Sequence, residues 1–145
     1  MNGNQIITEA RKYLGVKYAN QGRTVERGLD CGGLILVVGN SLGYLNLEFL
    51  GYSNSPDGKT FEKLLADNAV EIPKDSITVG DIIACDYGKG IQHIAFVTEL
   101  TPRLKVIHAK RPRNGFGSTD RGVIEQYLCG NDLRHWVKSF RLKYE

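Results

Sequence analysis

The apolar period of this chain changes once, near residue 80, and that change limits the folds open to it. Before it, apolar residues recur at helical spacing. Ile6, Ile7, Ala10 and Leu14 predict a helix over 4–14 that stops at Gly15. Leu34, Ile35, Val37, Val38 and Leu42 predict a second over 31–42, with Asp30 at the N-cap position and Gly43 as its stop. Phe61, Leu64 and Leu65 predict a short third over 59–68, and Pro73 breaks the chain after it. Beyond residue 80 the pattern becomes strand-like. Segments 81–86, 91–100 and 104–109 read as consecutive antiparallel strands joined by the turn-prone runs YGKG and TPR. Two more strands are expected over 123–128 and 134–142, and loops over 15–30, 52–59 and 111–122. Helices first and strands second imply an α+β domain with an antiparallel sheet of about five strands, not a doubly wound fold.

At 145 residues the chain is one domain, 1–145, large enough to bury a core without disulfides. Its 41% hydrophobic and 24% charged residues exclude wholesale disorder. The net charge, 19 − 16 = +3, is too small to imply a nucleic-acid partner. The charge is uneven, however. Residues 1–100 carry 9 − 12 = −3, and residues 101–145 carry 10 − 4 = +6, a solvated face or a patch for an anionic polymer. No apolar run approaches the ~20 residues of a membrane span, and Leu34–Val38 reads as core. The N-terminus shows no signal-peptide pattern, so cytoplasmic synthesis is expected.

Three cysteines, Cys31, Cys85 and Cys129, form no CxxC half-site, and an odd count argues against a disulfide framework. Cys85 and Cys129 read as small buried hydrophobes. There is no HExxH and no Cys/His cluster, so neither a metal nor a cofactor is expected.

Cys31 differs because it opens a predicted helix. The unpaired N–H groups and partial positive charge there favour a thiolate, the nucleophilic form. Gly32 and Gly33 follow; they are poor helix formers and give a substrate backbone room near the sulfur. A nucleophilic thiolate needs a base and an orienting group. His93 falls on the strand face of Ala95 and Val97, and His108 on that of Leu104 and Val106. The TPR turn makes the two cross-strand neighbours, with His93 as base and His108 as orienter. His135, beside Trp136, is the third choice.

These residues resemble the NlpC-type cysteine peptidases, papain-like bacterial and phage enzymes. The resemblance lies in Ala10, Tyr13-Leu14-Gly15, Tyr18, Gln21-Gly22 and Asp30-Cys31-Gly32-Gly33-Leu34. It continues in Val79-Gly80-Asp81-Ile82-Ile83, Gln92-His93-Ile94-Ala95 and Val106-Ile107-His108-Ala109. Gly32 stands where a serine is common, Lys17 where a proline is frequent and Ala95 where a glycine is frequent. The resemblance implies a papain-like fold with Cys31 as nucleophile, His93 as general base and acid, and His108 as orienter. It further implies substrate or oxyanion roles for Tyr18, Asp30 and Gly32. The implied substrate is the peptidoglycan stem peptide, usually cut between γ-D-glutamate and diaminopimelate or lysine. The Gln-Gly-Arg run and the SPDG loop look most like the branch carried by phage tails and gene-transfer particles, whose partners are other tail proteins. An injected antibacterial amidase, an acyltransferase on the same fold and a vestigial tail structural protein are the competing readings.

Overall fold

The structure is a computed structural model, and it describes residues 2–43, 59–112 and 121–143. Residues 52–58 of the loop expected over 52–59, and most of that over 111–122, lie outside the described residues.

Helix α1 (Gly3–Arg11) begins in a capping box: Gln5 N donates to Asn2 Oδ1 at 3.1 Å and Asn2 N donates to Gln5 Oε1 at 2.8 Å. It buries Ile6, Ile7 and Ala10. Leu14, expected on the same face, is 45% exposed because the helix ends three residues earlier than its apolar spacing predicts. Gly15 then turns the chain at φ +89°, and its N–H donates to Val123 O at 3.0 Å. The 15–30 loop carries a two-residue ribbon, β1 (Arg23–Thr24) against β2 (Gly28–Leu29), which the sequence did not announce. Helix α2 (Cys31–Ser41) is buried over most of its circumference, as its broad apolar face predicts. Helix α3 spans Lys59–Asn68 and buries Phe61, Leu64 and Leu65.

The sheet among the described residues has six strands where about five were expected. In chain order they are β3 (Ala69–Ile72), β4 (Ile82–Asp86), β5 (Ile91–Glu99), β6 (Lys105–Ala109), β7 (Val123–Tyr127) and β8 (Trp136–Leu142). Their spatial order is β3-β8-β4-β5-β6-β7, every neighbouring pair antiparallel. The unexpected strand is β3. It follows α3 without a loop and leaves Val70 54% exposed, so it carries no alternating apolar pattern. The strand expected over 134–142 is present as β8 but starts two residues later, at Trp136, because Arg134 ends a short helix α4 (Gly130–Arg134) that was not expected.

Both faces of the central strands are covered, which explains the nearly unbroken apolar run of β4. The larger core packs α1, α2 and α3 against Ile82, Ala84, Ile94, Phe96 and Ile107. The smaller joins Ile83, Ala95, Val97, Val106 and Leu128. Arg141 in β8 clamps the fully buried Asp81 at the start of β4 through Nε and Nη2, both at 2.9 Å. Such a bidentate pair fixes register as well as charge. No helix among the described residues is long and apolar enough to cross a membrane.

Candidate active site

Cys31 is the first residue of α2, held there by Asp30. The Asp30 carboxylate accepts from Gly33 N at 2.8 Å, the N-cap bond, and from Gln21 N at 2.7 Å. Arg23 Nη1 stands 3.6 Å from the same carboxylate, which is only 1% exposed. Asp30 therefore ties the loop to the helix start while also bordering the cavity described below. Gly33 has a structural reason different from substrate access: a Cβ there would meet Gly22 O at 2.1 Å, so the loop packs onto the helix only if residue 33 has no side chain.

The two predicted histidines meet. His93 Nε2 and His108 Nδ1 lie 2.8 Å apart across β5 and β6, with ring centroids 4.9 Å apart. On its far side, His108 Nε2 lies 2.9 Å from Gln126 Nε2 in β7. Both rings are buried. His93 spends Nε2 on His108, so Nδ1 is the ring nitrogen left for a proton from elsewhere. His135 stands apart: it ends α4, bonds Asn131 O through Nδ1 at 2.7 Å and tilts against the Tyr87 ring.

Cys31, His93, Tyr18 and Asp30 line one cavity of about 750 Å³ together with Gln126, Asp132 and Phe61. Tyr18 reaches it from the loop before β1, where it bridges to Leu29, and the Arg111 guanidinium lies 5.6 Å over its ring. Behind the histidines, Lys110 Nζ donates to Asp132 Oδ2 at 2.8 Å, and the Tyr87 hydroxyl donates to Asp132 Oδ1. Sequence reasoning missed Tyr87, Gln126 and Asp132. Gln126 had a faint signal, since it alternates with Ile124 and Leu128 on a strand beside His108. Asp132 had none, because its helix was read as loop and strand.

The electrostatics revise the thiolate expectation. Burial pushes the Cys31 thiol up to about 12, and the charge of Asp30 adds to this. The backbone N–H groups of Ile94, Gly32 and Cys31 oppose the shift without reversing it. The helix start favours the thiolate, but desolvation of a group only 7% exposed outweighs it. Burial and then Lys110 push His93 down to about 4, with Asp132 opposing. Burial, then His93 and Lys110, hold His108 well below its ordinary range. Burial also pushes Asp132 up, but hydrogen bonds from Lys110 and Tyr87 outweigh it and hold the carboxyl at about 2.

The Cys31 thiol and the His93 imidazole, on the same cavity, are thus both neutral at rest. The pH profile of kcat/KM follows from this. His93 accepts a proton only when unprotonated, so activity is expected to fall as pH drops through about 4. No alkaline limb from Cys31 is expected below about 12. An alkaline limb just above the ordinary histidine range of about 6.5 would instead reveal a thiolate–imidazolium pair at rest.

The other cysteines divide. Cys85 is buried as expected, and its thiol is pushed up to about 12, chiefly by burial. Cys129, also expected to be buried, is exposed at the rim of the cavity, because it precedes α4 rather than ending a covered strand. Ligand atoms of His93, His108 and Asp132 lie within 4.8 Å of one another, a spacing that suits a metal ion. Yet Asp132 is already ion-paired to Lys110, and the facing histidine nitrogens are bonded to each other.

No protein-family model and no curated protein matches the sequence. Solved structures do match it. The NlpC/p60 domain of the peptidoglycan hydrolase SagA superposes with TM-score 0.65 at 20% identity, covering 99% of this chain and 100% of that one. An NlpC/P60 family protein from Bacillus cereus gives TM-score 0.70 at 20% identity and 98% coverage of this chain. A Staphylococcus aureus protein described as similar to a lipoprotein of the NLP/P60 family gives 0.67 at 21% identity and 99% coverage. The chain spans 40% of the B. cereus protein and 42% of the S. aureus protein. The α+β arrangement, with helices packed on an antiparallel sheet and Cys31 at a helix start, is the papain-like fold of the NlpC/P60 domains.

Proposed function

We propose that this protein is a cysteine peptidase or amidase that hydrolyses amide bonds in peptidoglycan stem peptides. The observation that carries the reading is the shared cavity: Cys31 at the start of α2 and His93 line the same space of about 750 Å³, and His108 backs His93 from 2.8 Å away. The peptidoglycan hydrolase SagA, whose NlpC/p60 domain has this fold, supports the choice of substrate.

In the proposed reaction, His93 Nδ1 takes the Cys31 proton as the sulfur attacks the scissile carbonyl carbon. Backbone N–H groups at the helix start, those of Cys31 and Gly32, stabilise the developing oxyanion. The C–N bond breaks, and the departing amine takes the proton from His93. Water, deprotonated by His93, then cleaves the thioester to a carboxylic acid and restores the thiol. His108 holds the His93 ring in place through Nε2. Starting from a neutral pair, the enzyme moves the proton during attack rather than before it.

The charges bordering the cavity favour an anionic substrate. Lys110, Arg111 and Arg121 face Asp30 and Asp132 there. Asp132 is compensated by Lys110, and Asp30 has Arg23 beside it. Three cationic side chains against two carboxylates around the cavity fit a stem peptide, which carries free carboxylates. We assign the cut to the γ-D-glutamyl–diaminopimelate bond, with Tyr18 and Asp30 bordering the bound peptide, and place the enzyme with other proteins of a phage tail on the strength of the sequence resemblance.

Digestion of purified sacculi, read by mass spectrometry, tests this. The wild-type protein is expected to release split stem peptides whose masses name the bond. Intact sacculi alongside alkylation of Cys31 in a Cys129→Ser background that His93→Ala slows would overturn the substrate and move weight to an acyltransferase or an injected effector. Intact sacculi without any His93-dependent alkylation of Cys31 would favour a structural tail protein.

A further inference from the structure

The histidine pair ends on a residue that determines which way its protons point. His93, His108 and Gln126 form a single file across three adjacent strands: His93 Nε2 to His108 Nδ1 at 2.8 Å, then His108 Nε2 to the Gln126 amide at 2.9 Å, with the amide Nε2 nearest and Oε1 brought there by a half-turn of the amide. A neutral imidazole carries one proton, so each link fixes the next. If Gln126 presents its NH2 to His108, then His108 accepts at Nε2 and donates from Nδ1. His93 must then accept at Nε2 and hold its own proton on Nδ1, the nitrogen that has to receive the proton of Cys31. In that sense of the chain His93 is not a base. If Gln126 presents its carbonyl oxygen, every link reverses: His108 donates from Nε2, His93 donates from Nε2, and His93 Nδ1 carries a lone pair. The two senses differ by a half-turn of one side-chain amide, whose oxygen and nitrogen are nearly the same shape.

We propose that Gln126 is a positioning residue that sets the tautomer of His93, two hydrogen bonds away, by offering its carbonyl oxygen to His108. The inference rests on His93 being the base for Cys31, and on neither the substrate nor the bond cut. Burial makes the arrangement matter. His108 is fully buried and both rings stay neutral, so an Nε2–H that lacked an acceptor would favour the opposite tautomer.

Two variants and two substrate-free readouts test it. Gln126→Met keeps similar length and removes the acceptor; Gln126→Glu keeps an acceptor and removes the donor. The first readout is 15N NMR of labelled histidines, which distinguishes Nδ1–H from Nε2–H rings. The second is the pH dependence of Cys31 alkylation by iodoacetamide in a Cys129→Ser background. Wild type is expected to show both His93 and His108 as Nε2–H. Gln126→Met is expected to shift both toward Nδ1–H and slow alkylation roughly tenfold or more near neutral pH. Gln126→Glu is expected to keep the wild-type tautomers and the alkylation, with the acid limb moved upward because a carboxylate favours the protonated ring. A purely structural role for Gln126 would lower thermal stability in both variants and leave the nitrogen pattern alone. Wild-type tautomers in Gln126→Met, or equal loss of alkylation in Met and Glu, would overturn the proposal. Wild-type His93 found as Nδ1–H would do the same. A failure to digest sacculi with these signatures intact would overturn only the substrate.

Discussion

Cys31→Ala is expected to bring hydrolysis of stem peptides down to the uncatalysed background. No other described side chain at the start of α2 offers a nucleophile: Asp30 is bound into the cap, and Gly32 and Gly33 have no side chain. The fold is expected to survive. The change deletes one sulfur from a small side chain, at a cost of about 1 kcal/mol by area, and leaves the Asp30 cap intact. Circular dichroism and a thermal melt would confirm the fold, and product mass spectra would report the loss. Full activity in that variant would remove Cys31 from the chemistry. Thiol-labelling versions of the experiment must allow for Cys129. It is exposed at the cavity rim, whereas the Cys31 thiol is buried and protonated at rest. Simple reagents are therefore expected to find Cys129 first, and Cys129→Ser is the proper background.

His93→Ala is expected to lower kcat by about 100- to 10,000-fold, the range for removing a positioned general base. The loss should be large here because the thiol does not ionise by itself: burial holds it up to about 12, so attack depends on a nitrogen that takes its proton. His108→Ala is expected to cost less, since that ring orients His93 and does not face the thiol. The order of severity is the diagnostic. A harmless His108→Ala combined with a crippling His135→Ala would mean that the base had been misidentified. The geometry argues against that outcome, because His135 is engaged with Asn131 and Tyr87 and does not border the cavity.

The parts of the fold that were legible in the sequence are those with strong periodicity. Helix α2 and strands β4, β5, β6 and β7 lie within a residue of their expected ends, because long apolar stretches with glycine or turn punctuation report burial directly. Strand β3 was invisible because it is four residues long and half solvent-facing. Helix α4 was hidden because its five residues, GNDLR, have no room for a period. In the site, Cys31, His93 and His108 stood out by chemistry, and the strand alternation already placed the two histidines side by side. Asp132 and Tyr87 were not legible, since their proximity to the histidines depends on where β8 inserts. The protonation state of Cys31 was misread for a related reason. A helix start is visible in sequence, but the depth at which it is buried is not.

That insertion of β8 has a consequence for the timing of synthesis. β8 lies between β3 and β4, so the middle of the sheet lacks a strand until translation passes Trp136. From the end of β4 at Asp86, that is 136 − 86 = 50 residues of further elongation. At synthesis rates of about 5–20 residues per second this amounts to roughly 3–10 s. During that interval the edges of β3 and β4 are unpaired, and Asp81 lacks its Arg141 clamp. This domain is therefore expected to be inert, and most exposed to aggregation and proteolysis, until β8 has left the ribosome. On the proposed reading as a hydrolase, this delay keeps activity from preceding completion of the sheet.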